Sequence, residues 1–138
     1  MYKRVLLKLS GEVLSGEGKK GLDSSMGDVI VDEISKVLEM QIKIGIVIGA
    51  GNLFRGEELS YVGSINADQI GMLGTVINSL SLFSALKKHG IDSVVLSKIT
   101  NLPSIENLTY DAVERSFKEN KVVIFAGGTS NPLLTTDT

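Results

Sequence analysis

The chain has 138 residues, of which 43% are hydrophobic and 22% charged, with a net charge of −2 and no cysteine. This balance is typical of a globular domain with one hydrophobic core, and it excludes a disulfide framework and a thiolate zinc site. Acidic and basic residues are interspersed, so neither a nucleic-acid surface nor an anionic-membrane surface is expected.

The N-terminal segment predicts a strand rather than a leader peptide. Residues 5–9 form a short apolar run that ends at Ser10-Gly11, with Leu6, Leu7 and Leu9 indicating a buried strand. Lys8 within it either points to solvent or meets an anion, because an unpaired buried ammonium is costly. The segment lacks a cleavage site, and no apolar run is expected to span a bilayer, so a cytoplasmic protein is predicted.

The next stretch combines a glycine-rich and lysine-rich segment with a helix and a second strand. Residues 12–23 predict a mobile loop or hairpin. Apolar residues at helical spacing predict an amphipathic helix over residues 25–42. Residues 44–48 predict a second buried strand, which is closed by Gly49-Ala50-Gly51.

The longest helical pattern covers residues 66–89, roughly 35 Å of α-helix. Its apolar residues extend well around the cylinder, so the helix is expected either to be centrally buried or to be half-covered by a partner chain. His89, followed by Gly90, is read as the residue that ends the helix. A third strand is predicted at residues 94–96, a helix at residues 109–119 with Thr109 as N-cap, and a fourth strand at residues 122–126.

The alternation of strands and helices predicts an α/β fold, with a mainly parallel sheet between helical layers, in a single domain spanning residues 1–138. Ligands in such folds bind where strands end and helices begin. Glycine-rich polar segments follow the first, second and fourth strands. The three segments are therefore expected to converge on one crevice.

The second of these segments suits a phosphate. Successive backbone N–H groups from Gly49 to Asn52 can form an anion-binding nest, although the same glycines also suit a simple tight turn. Arg55 close behind favours the phosphate reading, because a guanidinium binds phosphate through two parallel hydrogen bonds. Phe54 occupies the sixth position of the dinucleotide-binding fingerprint, which therefore fails, and a Walker loop is absent from the sequence.

The first and last segments could serve the same anion and a nucleoside. Ser10 and Gly11 can present a hydroxyl and an N–H beside Lys8, and phosphoryl transfer needs little more than cations and dipoles around the moving group. Residues 129–137 place hydroxyls and amides around Pro132-Leu133-Leu134, which suits either a polar loop or contact with a flat base and its ribose. Asp137 could hold a lysine or a Mg²⁺-nucleotide, or it could cap a helix.

Four segments in this order resemble the bacterial uridylate (UMP) kinases of the amino-acid kinase superfamily. They are Lys-Leu-Ser-Gly-Glu at 8–12, Gly-Ala-Gly-Asn-Leu-Phe-Arg-Gly at 49–56, Ala-Asp-Gln-Ile-Gly-Met-Leu at 67–73, and residues 129–137. The resemblance implies a three-layer α/β/α fold of the amino-acid kinase type, incomplete here at the C-terminus because family members continue beyond residue 138. It also implies transfer of the ATP γ-phosphate to UMP with Mg²⁺.

The same resemblance assigns roles to individual residues. Lys8 and Asp137 would be catalytic, and the ATP phosphates would meet Lys8, Leu9, Ser10, Gly11, Gly51 and Arg55. UMP would bind Ala50, Arg55, Asp68, Thr129, Ser130, Asn131, Pro132, Leu133, Leu134, Thr135 and Thr136. The segment linked to allosteric activation by GTP would be Gly16, Glu17, Gly18, Lys19, Lys20 and Gly21.

Further implications concern assembly and one departure from the family pattern. The resemblance implies a hexamer built from dimers, with feedback inhibition by UTP, and the apolar helix over residues 66–89 agrees with a dimer interface. The departure is Ala50, which stands where the family usually has glycine and would be strained at positive φ.

Overall fold

The computed structural model describes residues 3–18, 20–54, 60–99 and 102–128. Eight regular elements are formed in these ranges: β1 (Arg4–Leu9), α1 (Ser24–Leu38), β2 (Lys43–Ile48), α2 (Gly63–Lys88), β3 (Ser93–Ser97), β4 (Ile105–Asn107), α3 (Tyr110–Lys118) and β5 (Val122–Ala126). The predicted strands and helices all form, and β4 is an additional strand that the sequence pattern did not indicate.

The five strands form one sheet in the order β1-β2-β5-β3-β4, with every neighbouring pair parallel. The predicted parallel α/β architecture is therefore confirmed. β1, β2 and β5 are consecutive in space although β5 lies far along the chain. Their carboxyl ends share one edge of the sheet, as the three glycine-rich segments predicted.

The sheet lies between two helical layers. On one face, α1 and α2 bury a core that includes Val31 and Ile34 of α1 and Val76, Leu82 and Leu86 of α2. On the other face, α3 packs Ala112 and Phe117 against Leu96 and Val123. The arrangement is the expected three-layer α/β/α fold.

Local signals set the ends of the shorter helices. The Asp23 carboxylate accepts from the Ser25 amide and caps α1, while the Thr109 hydroxyl accepts from the Ala112 amide and caps α3 as predicted. α1 ends at Leu38 and not at residue 42, because the chain turns away through Gln41, which has a φ of 61°. A left-handed residue of this kind commonly terminates an α-helix.

The segment after β1 is more regular than its composition indicated. Gly11–Leu14 and Gly16–Gly18 form two short 3₁₀ turns, and the side chain of Leu14 is buried. No hairpin forms in the described part of residues 12–23, and the loop predicted there contains these two short turns. A buried leucine and the backbone bond from the Asp23 amide to the Leu14 carbonyl hold the turns against the start of α1.

β1 is an edge strand, and the prediction that it is buried was wrong. Its residues alternate between exposed and half-buried, and Leu6 remains 60% exposed. Val5, Leu7 and Leu9 face the core beneath α1 and α2. On the opposite face, α3 packs on β3 and β5, and Arg4 of β1 contacts Glu114 and the ring of Phe117.

α2 is half-buried along its 26 residues. Met72, Val76, Leu82 and Leu86 are in the core, whereas other apolar residues of the helix, among them Leu73, are exposed. By length and composition α2 is apolar enough to cross a membrane, so the expectation that no run is long enough was wrong. A core helix packed on a sheet passes the same test, and α2 occupies such a position.

Candidate functional site

A cavity of about 470 Å³ lies where β1 and β2 end. It is lined by Lys8, Leu9, Ser10, Gly11, Val47, Gly49 and Gly51. Five of these residues, Lys8, Leu9, Ser10, Gly11 and Gly51, are among those that the resemblance assigns to the ATP phosphates. The structure thus brings Lys8 and the first two glycine-rich segments to a single concave surface.

The first segment turns immediately after β1. Ser10 caps the short helical turn, because its hydroxyl accepts from the Glu12 amide at 3.3 Å. Gly11 lies so close to the second segment that a Cβ there would be 2.5 Å from Asn52 Oδ1 and 2.6 Å from the Gly49 carbonyl oxygen. Any larger residue at position 11 would clash with the second segment, so the close approach of the two segments requires glycine there.

The second segment follows β2 and rests on α2. The Gly49 amide donates to the Leu9 carbonyl at 2.9 Å and prolongs the pairing of β1 with β2. Ala50 is not strained, since the left-handed non-glycine residues of the described chain are Gln41 and Asn120. Its methyl group occupies space that Gly74 leaves free, because a Cβ on Gly74 would be 2.8 Å from it.

The third segment begins after β5 with two left-handed glycines. Gly127 has a φ of 85° and Gly128 a φ of 61°. The Gly127 amide donates to Thr75 Oγ1 on α2 at 2.8 Å, and a Cβ on Gly127 would collide with Ile99 and with the Ser97 hydroxyl. α2 therefore fixes the direction in which the chain leaves β5.

Two asparagines are buried beneath the crevice, and the sequence analysis indicated neither their burial nor their pairing. Asn52 is 2% exposed and Asn78 is fully buried, and their side-chain amides bind each other. Asn78 also donates to the Gly49 carbonyl, and Asn52 to the Gly21 carbonyl. The available signal was the run of polar residues on one face of an otherwise apolar helix, formed by Thr75, Asn78 and Ser79.

The argument that Lys8 must have a partner because it is buried does not hold. Lys8 lies on the exposed face of β1, opposite the core, and pairs in register with Val47. Its place in the crevice is set by the strand, since the side chain lies on the cavity side of the sheet.

Asp68 lies in the second turn of α2 and is half-buried. It precedes Thr75 by seven residues, which places it on the same helix face and about 10 Å nearer the N-terminal end. That face contacts the third segment through the bond from Gly127 to Thr75. Asp68 therefore shares a helix face with Thr75, but it is not among the residues that line the cavity at the ends of β1 and β2.

Gly21, the last residue of the segment assigned to GTP, lies against the second glycine-rich segment. The Gly21 amide donates to the Asn52 carbonyl at 2.7 Å, and the Asn52 side chain donates to the Gly21 carbonyl at 2.8 Å. A Cβ on Gly16 would be 2.6 Å from the Asp23 carboxylate, so this glycine also permits a close approach.

Several predicted site residues lie outside the described residues. They are Lys19, Arg55, Thr129, Ser130, Asn131, Pro132, Leu133, Leu134, Thr135, Thr136 and Asp137. Their assignments stay predictions from the resemblance.

A divalent metal site built by the protein alone requires several ligating side chains close together. In the ranges that the structure covers, no group of three His, Asp or Glu side chains is arranged to hold an ion. The described part of the crevice offers Lys8 and the Ser10 hydroxyl, which suit the phosphate groups of a nucleotide.

These features define the class of protein: a three-layer α/β protein with a glycine-lined, anion-compatible crevice at the ends of adjacent parallel strands. The family model for the amino acid kinase family matches residues 3–138. The chain therefore belongs to the amino acid kinase family.

Individual relatives are uridylate kinases. The chain is 56% identical over 138 residues to the uridylate kinase of Pseudothermotoga lettingae, a match that covers 100% of this chain and 59% of the relative. The structure is similar to the UMP kinase from Bacillus anthracis, with a TM-score of 0.92, 35% identity and coverage of 99% of this chain and 57% of the other. The structure is also similar to the UMP kinase from Ureaplasma parvum, with a TM-score of 0.90 and 28% identity. That match covers 99% of this chain and 60% of the other. The chain thus spans a little under three fifths of the length of these relatives.

Proposed function

We propose that this chain is the part of a UMP kinase that carries most of the acceptor-nucleotide site and part of the ATP-phosphate site. The observation that carries the proposal is the single cavity that Lys8 lines together with Ser10, Gly11, Gly49 and Gly51, the residues that follow the ends of two adjacent strands. Phosphoryl transfer depends on positioning and on neutralising the charge of the moving group, and this cavity offers both. The relatives' names supply the acceptor, which the cavity itself does not specify.

In this proposal, a phosphate oxygen of UMP attacks the γ-phosphorus of ATP. A new oxygen–phosphorus bond forms as the bond between that phosphorus and the leaving ADP oxygen breaks, so the products are UDP and ADP. Lys8 faces the transferring group, and Leu9, Ser10, Gly11 and Gly51 hold the ATP phosphates. Mg²⁺ enters bound to ATP as part of the substrate.

The acceptor side is assigned by the family pattern together with the position of α2. Ala50 and Asp68 bind UMP, with Asp68 reaching toward the crevice from the N-terminal part of α2. Arg55 holds its phosphate, and residues 129–136 surround the base and ribose. Asp137 is assigned to catalysis together with Lys8.

An acceptor panel tests this function directly. The protein encoded by the complete reading frame, mixed with ATP-Mg²⁺, should yield UDP from UMP and little product from aspartate, carbamate or other monophosphates. Turnover with a carboxylate or carbamate and none with UMP would favour a sister kinase of the same family. Binding of UMP or UTP without turnover would favour a non-catalytic nucleotide-binding protein.

Lys8→Ala provides the residue-level test. The charge of Lys8 matters most in the transition state, so kcat should fall much more than UMP affinity. A loss confined to UMP affinity would reassign Lys8 to acceptor binding.

Assembly and regulation form a second layer of the proposal. Leu73 and Ile77 on α2 are 53% and 45% exposed, and an apolar surface of this kind favours a dimer interface. Dimers would associate into a cytoplasmic homohexamer with UTP as inhibitor and GTP acting through the segment from Gly16 to Gly21. Sedimentation of wild type and Ile77→Glu would check the interface, and an unchanged oligomeric state would remove α2 from it.

A further inference from the structure

We propose that Asn78, acting through Asn52, is a positioning residue that sets the separation of the two glycine-rich loops after β1 and β2. The inference rests on the proposed function for the role of those loops, here residues 8–12 and 49–54. Asn78 is carried by α2, 26 residues from Asn52 along the chain. Its influence on the crevice therefore comes from the fold and not from local sequence.

The two side-chain amides form a closed pair. Asn78 Nδ2 donates to Asn52 Oδ1 at 2.7 Å, and Asn52 Nδ2 donates to Asn78 Oδ1 at 3.2 Å. The second hydrogen of each amide goes to a backbone carbonyl, Gly49 at 2.7 Å and Gly21 at 2.8 Å. All four N–H groups have acceptors, so neither amide can rotate without leaving a buried polar group unpaired.

The pair controls how closely the first loop approaches the second. Asn52 Oδ1 lies where a Cβ on Gly11 would be 2.5 Å away, so the amide oxygen packs directly against the Gly11 backbone. On the other side, Asn78 holds the Gly49 carbonyl through its amide. A fixed chain of contacts therefore runs from α2 through Asn78 and Asn52 to both loops.

Neither asparagine is in a position to contact a ligand in the cavity directly. Both are buried beneath it, and neither lines the cavity of Lys8, Gly49 and Gly51. Their effect would come from keeping the loop amides in the arrangement that binds phosphate before the ligand arrives. Preorganisation of this kind strengthens binding by raising the population of the competent state.

A merely structural role makes a different prediction. A buried hydrogen-bonded pair that only stabilises the fold would, when removed, loosen the whole domain evenly. A positioning role predicts that the loops loosen while the distant core is unchanged. Hydrogen exchange resolved by peptide separates the two, because it reports local opening in the unliganded protein.

The variant is Asn78→Leu, which keeps the approximate volume and removes the amide. The matched control is Ser79→Ala, since Ser79 is the next residue of α2, is fully buried, and has a hydroxyl without a hydrogen-bond partner among the described residues. In Asn78→Leu, amides of residues 8–13 and 49–54 should exchange about tenfold faster, with residues 110–126 unchanged. Ser79→Ala should leave all three regions as in wild type. If Asn78→Leu fails to fold by circular dichroism, the smaller change Asn78→Ser takes its place.

A binding measurement completes the test. Calorimetry with UMP, and separately with ATP-Mg²⁺, should give affinities about tenfold weaker in Asn78→Leu, as expected if the competent arrangement falls to roughly a tenth of the population. Ser79→Ala should bind as wild type does.

The two failures are distinguishable. Wild-type protein that binds neither nucleotide contradicts the proposed function, while the exchange rates still decide whether Asn78 positions the loops. Loop exchange equal to wild type in Asn78→Leu, or faster exchange spread evenly over the domain, overturns the positioning role.

Discussion

Replacing Gly11 with alanine should separate the two loops that form the crevice. A Cβ at this position would lie 2.5 Å from Asn52 Oδ1, 2.6 Å from the Gly49 oxygen and 2.9 Å from the Gly51 nitrogen. Ordinary van der Waals contacts are near 3.5 Å, so these atoms must move apart by roughly 0.5–1 Å. Two of the three belong to backbone, and the third belongs to a buried amide, so none can simply rotate away.

The expected cost follows from this crowding. Overpacking of a tightly packed site destabilises by about 1–3 kcal/mol. In a domain of this size that corresponds to a fall in Tm of about 4–12 °C. Gly11 is outside the set of described glycines with positive φ, so the effect is steric and not a backbone strain.

The matched control is Gly49→Ala, in the facing loop. A Cβ on Gly49 would meet its nearest atoms at 3.7 Å and 3.9 Å, which is ordinary contact. Thermal unfolding followed by circular dichroism should show Gly49→Ala within about 1 kcal/mol of wild type, with Gly11→Ala clearly less stable. Equal stability of Gly11→Ala and wild type would refute the close approach of the two loops.

Three further predictions concern elements that support the crevice. Gly74→Ala should be less stable than wild type because its Cβ would be 2.8 Å from the Ala50 methyl group, whereas Gly27→Ala, with its nearest contact at 3.4 Å, should gain up to about 1 kcal/mol from helix propensity in urea titrations. Thr109→Ala should cost about 0.5–2 kcal/mol through loss of the α3 cap, and Thr109→Ser should restore most of it. The hydrogen bond that Arg4 donates to Glu114 holds the pKa of that carboxyl below its ordinary value. The ion pair therefore stabilises the folded protein at pH values above the pKa of the unfolded chain, and this stabilisation is lost as pH falls through the lower pKa of the folded state. Glu114→Gln should therefore lower Tm at pH 7 but not at a pH well below about 4, and an equal loss at both would contradict the ion pair.

Most of the fold was predictable from the sequence because its longer strands are short apolar runs, three of which lead into glycine-rich segments. Residues 122–126 were predicted with the bounds that the structure has, and the convergence of the three strand ends followed from the parallel topology. β4 was missed because Ile105–Asn107 is three residues long and only Ile105 is buried. Burial of β1 was misjudged because strand order, which places it at the edge, is not visible in local periodicity.

The loops that line the cavity were predictable from the sequence, but the buried asparagine pair beneath them was not. Lys8, Gly11 and Gly51 were found because glycine after a strand is a local signal, and the structure brings them to one cavity. The pairing of Asn52 with Asn78 depends on a contact between residues far apart in sequence. In a helix, asparagine ordinarily suggests an exposed position, so its burial could not be read from the chain alone.

The claim on which the rest depends is that the strand ends of β1, β2 and β5 form one phosphate-binding crevice. Titration of ¹⁵N-labelled protein with UMP and with ATP-Mg²⁺, followed by amide chemical shifts, tests it most directly. The account predicts that the largest shifts fall on Ser10, Gly11, Gly51 and Gly127. If these four amides did not shift and the largest changes fell instead on residues between α1 and α2, the claim of a single phosphate-binding crevice would be contradicted.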